Sequence, residues 1–182
     1  MLITENSMVG LTEYTSNDFA DMYLCWTDID TQKGYNGKFN QTFEEFERFQ
    51  LEQFKLQFKF WVTIIDKRTS QKVGVLRLGL DEICPDLAIW IYPQHRNKGY
   101  GTQSFELSLE YIFENYPYLE ISAGCYEDNT YSLKMLRRIG FYRYPGGDVV
   151  EENSFTGNSI KQLEFRIKRE QIDNIEHFSK QW

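Results

Sequence analysis

A chain of 182 residues, 41% apolar and 16% aromatic, has material for a real core and the length of one ordinary α/β domain, taken here as residues 1–182. Its 20 lysines and arginines stand against 27 acids, a net charge of −7, which speaks against nucleic acid as the main partner and loosely suits a cationic one. No apolar run reaches the length of a membrane span, the start "MLITENSMVG" lacks a leader pattern, and Pro, Gly and Ser are scattered; the expectation is a folded, soluble, cytoplasmic chain without membrane contact.

In chain order, "MVGLTEY" alternates as a first strand, and Thr15 to Asp18 offers N-cap residues for a helix over Phe19 to Trp26. The segment "DIDTQKGYNGKFNQ" reads as irregular. Phe43, Phe46, Phe49 (or Gln50), Phe54 and Phe58 recur near helical spacing and predict a helix from Thr42 to Gln57, with Thr42 and Glu45 as a capping box. The aromatic run from Phe43 to Phe60 is read as core in preference to a substrate box.

"FKFWVTIID" and "VGVLRLGLDEI" form a hairpin by composition, and "LAIWIY" adds a third strand. Phe105, Leu109, Ile112 and Phe113 then mark an amphipathic helix ending near Tyr116-Pro117. "LEISAGC" alternates as a strand, a helix runs from Asn129 to Ile139, and Gly140 stops it. After "FYRY" comes a loop or hairpin, a last strand near Gln162 to Lys168, and a polar tail. The order β-α-α-β-β-β-α-β-α-β-β implies an α/β (α+β) fold with a mixed sheet and helices on both faces. Cys25, Cys84 and Cys125 lie far apart, with no metal-type spacing, and are expected as thiols; no metal site is predicted.

Between the third strand and the long helix stands "QHRNKGYGTQ". A helix N-terminus presents unpaired N–H groups and the positive end of the helix dipole, so a phosphate is favoured there. Gly99 and Gly101 give a permissive backbone, Arg96 and Lys98 supply cations, and Thr102 supplies a hydroxyl. The same string also serves a plain strand-to-helix connection with solvated cations. The dinucleotide fingerprint GxGxxG fails, because Ser104 replaces the third glycine and no parallel βαβ series opens the chain. No GxxxxGK[ST] loop occurs.

"LAIWIYPQHRNKGYGTQSFELSLEYIF" followed by "LEISAGCYEDNTYSLKMLRRIGF" resembles the acetyl-CoA-binding half of the GCN5-related N-acetyltransferase (GNAT) superfamily, in particular its ribosomal-protein N-terminal acetyltransferase-like branch. The matching residues are Arg96, Gly99 and Gly101, then Asn129 and Ser132, then Gly140-Phe141. The resemblance implies a mixed, mostly antiparallel central sheet of about seven strands. It also implies a V-shaped splay between the strands ending at Ile91 and Cys125. Acetyl-CoA would be the co-substrate: the backbone of Trp90 and Ile91 would hydrogen-bond the pantetheine amides, N–H groups of Asn97, Lys98, Gly99, Tyr100, Gly101 and Thr102 would hold the pyrophosphate, and Asn129 would touch the pantetheine arm.

An amine attacks a thioester only when neutral, so a base must take its proton, and the departing thiolate gains from protonation. By the resemblance, Asp86 holds the position of the base that works through water; its other reading is an ordinary strand-start acid. Glu127 is its closest rival, with Glu82 and Asp128 behind it. The usual tyrosine acid is replaced by Leu136, which leaves Ser132 as donor to the sulfur, with Tyr131 and Tyr142 in reserve; helix packing or a back-bond is the other reading of Ser132. His95 falls at the pyrophosphate end and His177 in the tail, so neither is taken as a base. The segments Asp28 to Gln41 and Tyr144 to Ser159, with Asp28, Asp30, Asp148, Glu151 and Glu152, are expected to set the acceptor, either by drawing a cation or as solvated loop charge.

The resulting expectation is direct acetyl transfer to a primary amine, on a protein N-terminus or a small molecule such as a polyamine or aminoglycoside. Rival readings are a catalytically silent CoA-binding domain and, more distantly, a dinucleotide-dependent oxidoreductase. Monomer and homodimer both stay open.

Overall fold

The computed structural model describes residues 1–172; the polar tail, with His177, lies outside the described residues. The chain opens with β1 (Leu2–Glu5) and β2 (Val9–Glu13), an antiparallel pair whose turn is held by Asn6, which accepts from the Met8 and Val9 amides at 2.8 and 2.9 Å. Strand β1 was hidden in "LITE", too short to show alternation. Helix α1 (Phe19–Thr27) follows, and then α2 (Ile29–Gly34), inside the segment read as irregular. Its six residues carry no apolar stripe; what starts it is Asp28, whose carboxylate accepts from the Thr31 amide at 2.8 Å. Helix α3 (Phe43–Phe54) has the foreseen capping box, with Thr42 N to Glu45 Oε2 at 2.8 Å and Glu45 N to Thr42 Oγ1 at 3.3 Å. Phe46 and Phe60 are core, whereas Phe43 and Phe49 are exposed, so the aromatic run is core only in part.

Next come β3 (Trp61–Asp66), β4 (Lys72–Leu78) and β5 (Leu87–Ile91). Strand β4 stops at Leu78, short of Ile83, and Asp81 Oδ1 then caps the amides of Ile83 and Cys84, both at 2.8 Å. The remainder is α4 (Tyr100–Asn115), β6 (Glu120–Tyr126), α5 (Thr130–Ile139), β7 (Tyr142–Arg143), β8 (Val149–Glu152) and β9 (Ser159–Lys168). Nine strands are thus found among the described residues, the added ones being β1 and the hairpin arm β8.

These strands form two antiparallel sheets. One runs β1-β2-β3-β4-β5, and the other runs β6-β9-β7 with β8 also on β9. They meet at one parallel bridge, Asp86 to Ser122, and beyond it β5 and β6 pair with nothing between them. Both strands run away from that bridge, so their ends at Ile91 and Tyr126 part: the splay is present.

Alternation along β5 divides the core. Leu87, Ile89 and Ile91 join Val9, Val62, Ile64 and Leu76 beneath α4, where Phe105, Leu109, Ile112 and Phe113 are buried. Ala88, Trp90 and Tyr92 face the other way, into an aromatic layer with Tyr14, Phe19 and Phe46 under α1 and α3. Helices therefore cover both faces. The start of α4 is fixed to β3 by a buried hydrogen bond, Tyr100 Oη to Asp66 Oδ2 at 2.6 Å. That bond, then the Arg68 amide, holds the Asp66 carboxyl down at about 2. A depressed carboxyl adds stability at pH above its unfolded value of about 3.9 and loses it as pH falls through about 2. Tyr100→Phe should therefore melt below the wild type at pH 7, with the gap narrowing from pH about 4 downward. A gap independent of pH in thermal melts would refute this role for the bond.

Candidate active site

The turn between β5 and α4 gathers backbone N–H groups, unpaired among the described residues, at the head of a helix. After a single helical turn at Pro93–His95, Asn97 and Gly99 take left-handed backbone, φ 59° and 87°. The first helical bond of α4 is Gln103 N to Gly99 O at 3.1 Å. Ahead of it, the N–H groups of Asn97, Lys98, Gly99, Tyr100, Gly101 and Thr102 have no acceptor among the described residues. Gly101 is needed for packing: a Cβ there would stand 3.3 Å from Met135 Sδ and 3.7 Å from Ile91 Cγ1. Thr102 offers an unpaired hydroxyl, while the Tyr100 side chain is turned inward to Asp66 and leaves only its N–H.

The cations of this turn behave otherwise than their spacing suggests. Arg96 pairs with Asp28 at 2.8 Å, donates to Thr31 Oγ1 at 2.6 Å, and reaches Ile91 O at 3.3 Å. It is a brace between the turn and α2 rather than a free phosphate ligand. Lys98 folds onto Gln94 O at 2.9 Å. His95 lies edge-on to Tyr100, and burial together with Lys98 lowers its pKa.

Register decides which backbone groups face the cleft. Gly79 N to Asp86 O and Tyr92 N to Val73 O are ladder bonds, so the even-numbered residues of β5 direct N–H and C=O toward β4. An added Cβ at Gly74 would stand 2.3 Å from Trp90 O, which confirms that orientation. The backbone of Trp90 is therefore used within the sheet, and Ile89, with Ile91, faces the cleft in its place. On the opposite wall Glu127 N to Lys161 O is a ladder bond, so Ser122 and Gly124 face outward from β6.

Asp86 sits at the closed end of the cleft with an exposed carboxylate. The carboxylate lies over Gly79, where a Cβ would meet its Oδ1 at 2.1 Å, and makes no hydrogen bond or ion pair within 4.0 Å among the described residues. Glu127 is otherwise engaged, its Oε1 accepting from Lys161 N at 3.1 Å. Asn129 caps α5 by accepting from Ser132 N at 3.1 Å, and its amide nitrogen lies beside Gly34 of α2. The Ser132 hydroxyl has no partner and no back-bond among the described residues. Leu136 is buried in the core. Of the reserve tyrosines, Tyr131 is exposed, and Tyr142 donates to Glu120, its pKa pushed up to about 12 by burial and that carboxylate.

Tyr35 escaped sequence reasoning. It stacks on Trp90 at 5.1 Å with planes 10° apart, and its hydroxyl donates to Ile89 O on the cleft edge of β5. Burial drives its pKa far up, so it remains a donor. No periodic pattern marks such a residue; only its placement after α2 does.

The two segments expected to set the acceptor do meet. Asn36 Nδ2 donates to Glu151 Oε1 at 2.7 Å and to Glu152 O at 2.9 Å, while Ser154 donates to its side-chain and backbone oxygens at 2.8 and 2.6 Å. Residues 35–36 thus form a strap from β5 to the β8–β9 hairpin, across the splay. The acids there are largely matched internally: Asp28 with Arg96, Asp148 with Arg143 at 2.7 Å, and Glu151 with Asn36 and the Tyr126 hydroxyl at 2.5 Å. A separate cavity of about 380 Å³, lined by Met1, Ile3, Phe54, Phe60, Tyr111 and Tyr116 among others, shares none of these candidates.

A family model described as an acetyltransferase (GNAT) domain matches residues 9–142. Among solved structures, a GNAT-family acetyltransferase from Bacillus anthracis superposes with TM-score 0.77 at 20% identity, covering 93% of this chain and 99% of the other. The spermidine N-acetyltransferase of Vibrio cholerae, solved with CoA and spermine, gives TM-score 0.80 at 17% identity, with 92% and 99% covered. A Salmonella typhimurium acetyl transferase that modifies the N-terminal serine of ribosomal protein L7/L12 gives 0.74 at 13%, with 90% and 96% covered. At these identities the structures establish the shared fold.

Asn36→Ala removes the side-chain bonds of the strap and leaves alanine in left-handed backbone, so a loss of about 3 kcal/mol is expected in urea denaturation. Hydrogen exchange at the Ser154 amide should quicken well beyond that of β6. Unchanged exchange there would show that the strap is not what joins the two segments.

Proposed function

The chain belongs to the acetyltransferase (GNAT) family and is an acetyl-CoA-dependent N-acetyltransferase, and we propose that its reaction runs in the cleft between β5 and β6. The carrying observation is the fit of the turn to a pyrophosphate: the unpaired N–H groups from Asn97 to Thr102 at the head of a 16-residue helix. The cleft-facing groups of Ile89, Ile91 and Gly124 suit the amides of a pantetheine arm, which would lie between the strands as an added one. When bound, acetyl-CoA supplies a thioester carbonyl open to attack by an amine. Arg96 contributes by position, holding α2 against the turn.

The amine nitrogen gives up two protons as the C–N bond forms and the C–S bond breaks. Asp86, exposed and unpaired at the closed end of the cleft, takes the first, directly or through water. The second ends on the sulfur, delivered through the free Ser132 hydroxyl. Asn129 positions Ser132 by capping α5, and Tyr35 stiffens the β5 edge from the acceptor side. The acceptor is the primary amine of a protein N-terminus or of a small molecule. The internal pairing of Asp28, Asp148 and Glu151 weakens the case for a polyamine.

Two measurements test this reading. Thr102→Glu puts a carboxylate into the ring of N–H groups and should weaken CoA binding at least tenfold in calorimetry, about 1.4 kcal/mol, with the fold intact by circular dichroism. Equal affinity would sink the pyrophosphate assignment. Asp86→Asn and Ser132→Ala should each slow thiol release from acetyl-CoA by about 10²-fold with CoA affinity kept. Full activity in both would return the proton work to other groups.

A further inference from the structure

Arg77 is out of keeping with the other half-buried arginines. Arg96, Arg143 and Arg166 each hold carboxylates, and Arg169 fills its donors with the carbonyls of Phe113, Tyr116 and Tyr118. The Arg77 side chain has no hydrogen bond or ion pair among the described residues. Its guanidinium instead rests among rings, 4.5 Å from the centre of Phe58, 5.4 Å from Trp61 and 5.7 Å from Trp90. The indole N–H of Trp90 is likewise buried without an acceptor. Donors are thus gathered here with nothing to accept from them, and an unmatched half-buried cation is costly.

Register places this group beside the candidate base. Arg77 on β4 lies opposite Ala88 on β5, and Asp86 is two residues back along β5, opposite Gly79. Arg77, Ala88 and Asp86 therefore share one sheet face, the face of Trp90 and Tyr35. Diagonal neighbours of this kind are about 7 Å apart. The bare Cα of Gly79 lets the Asp86 carboxylate lie across β4, and it stays more than 4.0 Å from the guanidinium, so the two do not form an ion pair. Ala88 between them is small. A carboxylate and a guanidinium, side by side, attracting each other across a gap wider than an ion pair and each without a hydrogen-bonded partner among the described residues, are the two halves of a site for a zwitterion.

Resting on the acetyltransferase reading of this cleft, we infer that the acceptor is an amine carrying its own carboxylate a few atoms away, with the amine at Asp86 and the carboxylate on Arg77. A planar guanidinium matches a carboxylate through two parallel hydrogen bonds, and the aromatic wall strengthens the pair by excluding water. A polyamine would bring a second cation against Arg77 and is disfavoured by the same geometry. The carboxylate can belong to a free amino acid or to an acidic first residue of a peptide, and the test separates the two.

The experiment compares acids with their uncharged amides on the CoA-loaded protein, by calorimetric binding, and with acetyl-CoA, by thiol release. Free probes are glycine, β-alanine and 4-aminobutyrate against their carboxamides. Peptide probes are Asp-Ala-Ala-amide against Asn-Ala-Ala-amide, with spermidine as the cationic control. At least one acid should bind at least tenfold more tightly than its amide, and Arg77→Met should bring that ratio to about one. Preference confined to the free probes assigns a free amino acid; preference confined to the peptides assigns an acidic N-terminal residue. Acids and amides bound alike by the wild type, spermidine bound best, or a preference that survives in Arg77→Met would each overturn the inference. Because binding is read without turnover, acid preference with no thiol release would count against the acetyl-transfer reading alone, and thiol release without acid preference against this inference alone.

Discussion

The constraint on which the rest depends is the parting of β5 from β6. Among the described residues their sheets share one backbone bridge, at Asp86 and Ser122, and beyond it every second residue of each strand has N–H and C=O groups with no neighbouring strand. Unpaired backbone groups in a protein interior must find partners. The chain answers this with side chains at two places, the Tyr35 hydroxyl on Ile89 O and the Arg96 guanidinium on Ile91 O. The N–H groups of the same residues face a gap of strand-like width. A ligand that offers amides in extended form is the chemical complement of such an edge, and the crown of N–H groups on α4 lies where the edge ends.

Much of this was legible in the sequence, for identifiable reasons. The stripe of Phe105, Leu109, Ile112 and Phe113 runs for more than two turns of a 16-residue helix, long enough for its period to stand out, and Gly99 takes the left-handed backbone that glycine tolerates best. The capping pair Thr42 and Glu45 works through local geometry that spacing alone specifies. What stayed hidden depends on contacts between distant segments. Helix α2 is short and polar and is held by Asp28 and Arg96, which are 68 positions apart in the chain. The exchange of Trp90 for Ile89 at the cleft edge is a matter of register, which alternation cannot supply because it states which side chains share a face and not which carbonyls face a given neighbour.

Charge misled in a related way. Acids in the two acceptor segments look, as a string, like an attraction for cations. In the fold Asp28 neutralises Arg96, Asp148 neutralises Arg143, and Glu151 serves as acceptor for Asn36 and Tyr126. The net charge of −7 says how the chain behaves toward solvent; the site is described by the few groups left unmatched. Among the described residues they include the side chains of Asp86, Ser132, Thr102 and Arg77, and the first three hold places that sequence reasoning assigned to chemistry.

The same economy of contacts explains how a fold can superpose at TM-score 0.77 with 20% identity. The cleft is shaped by a bridge, by the strap at Tyr35 and Asn36, and by backbone groups that most side chains leave unchanged. Packing beneath α4 needs apolar volume, which many residue sets supply. The aromatic face is different, because Arg77 and Trp90 project from adjacent strands, β4 and β5, and Tyr35 stacks on Trp90 from the segment after α2. In the cleft proposed above, cofactor binding would rest mainly on backbone groups that most side chains leave unchanged, while acceptor choice would rest on the side chains of this one face.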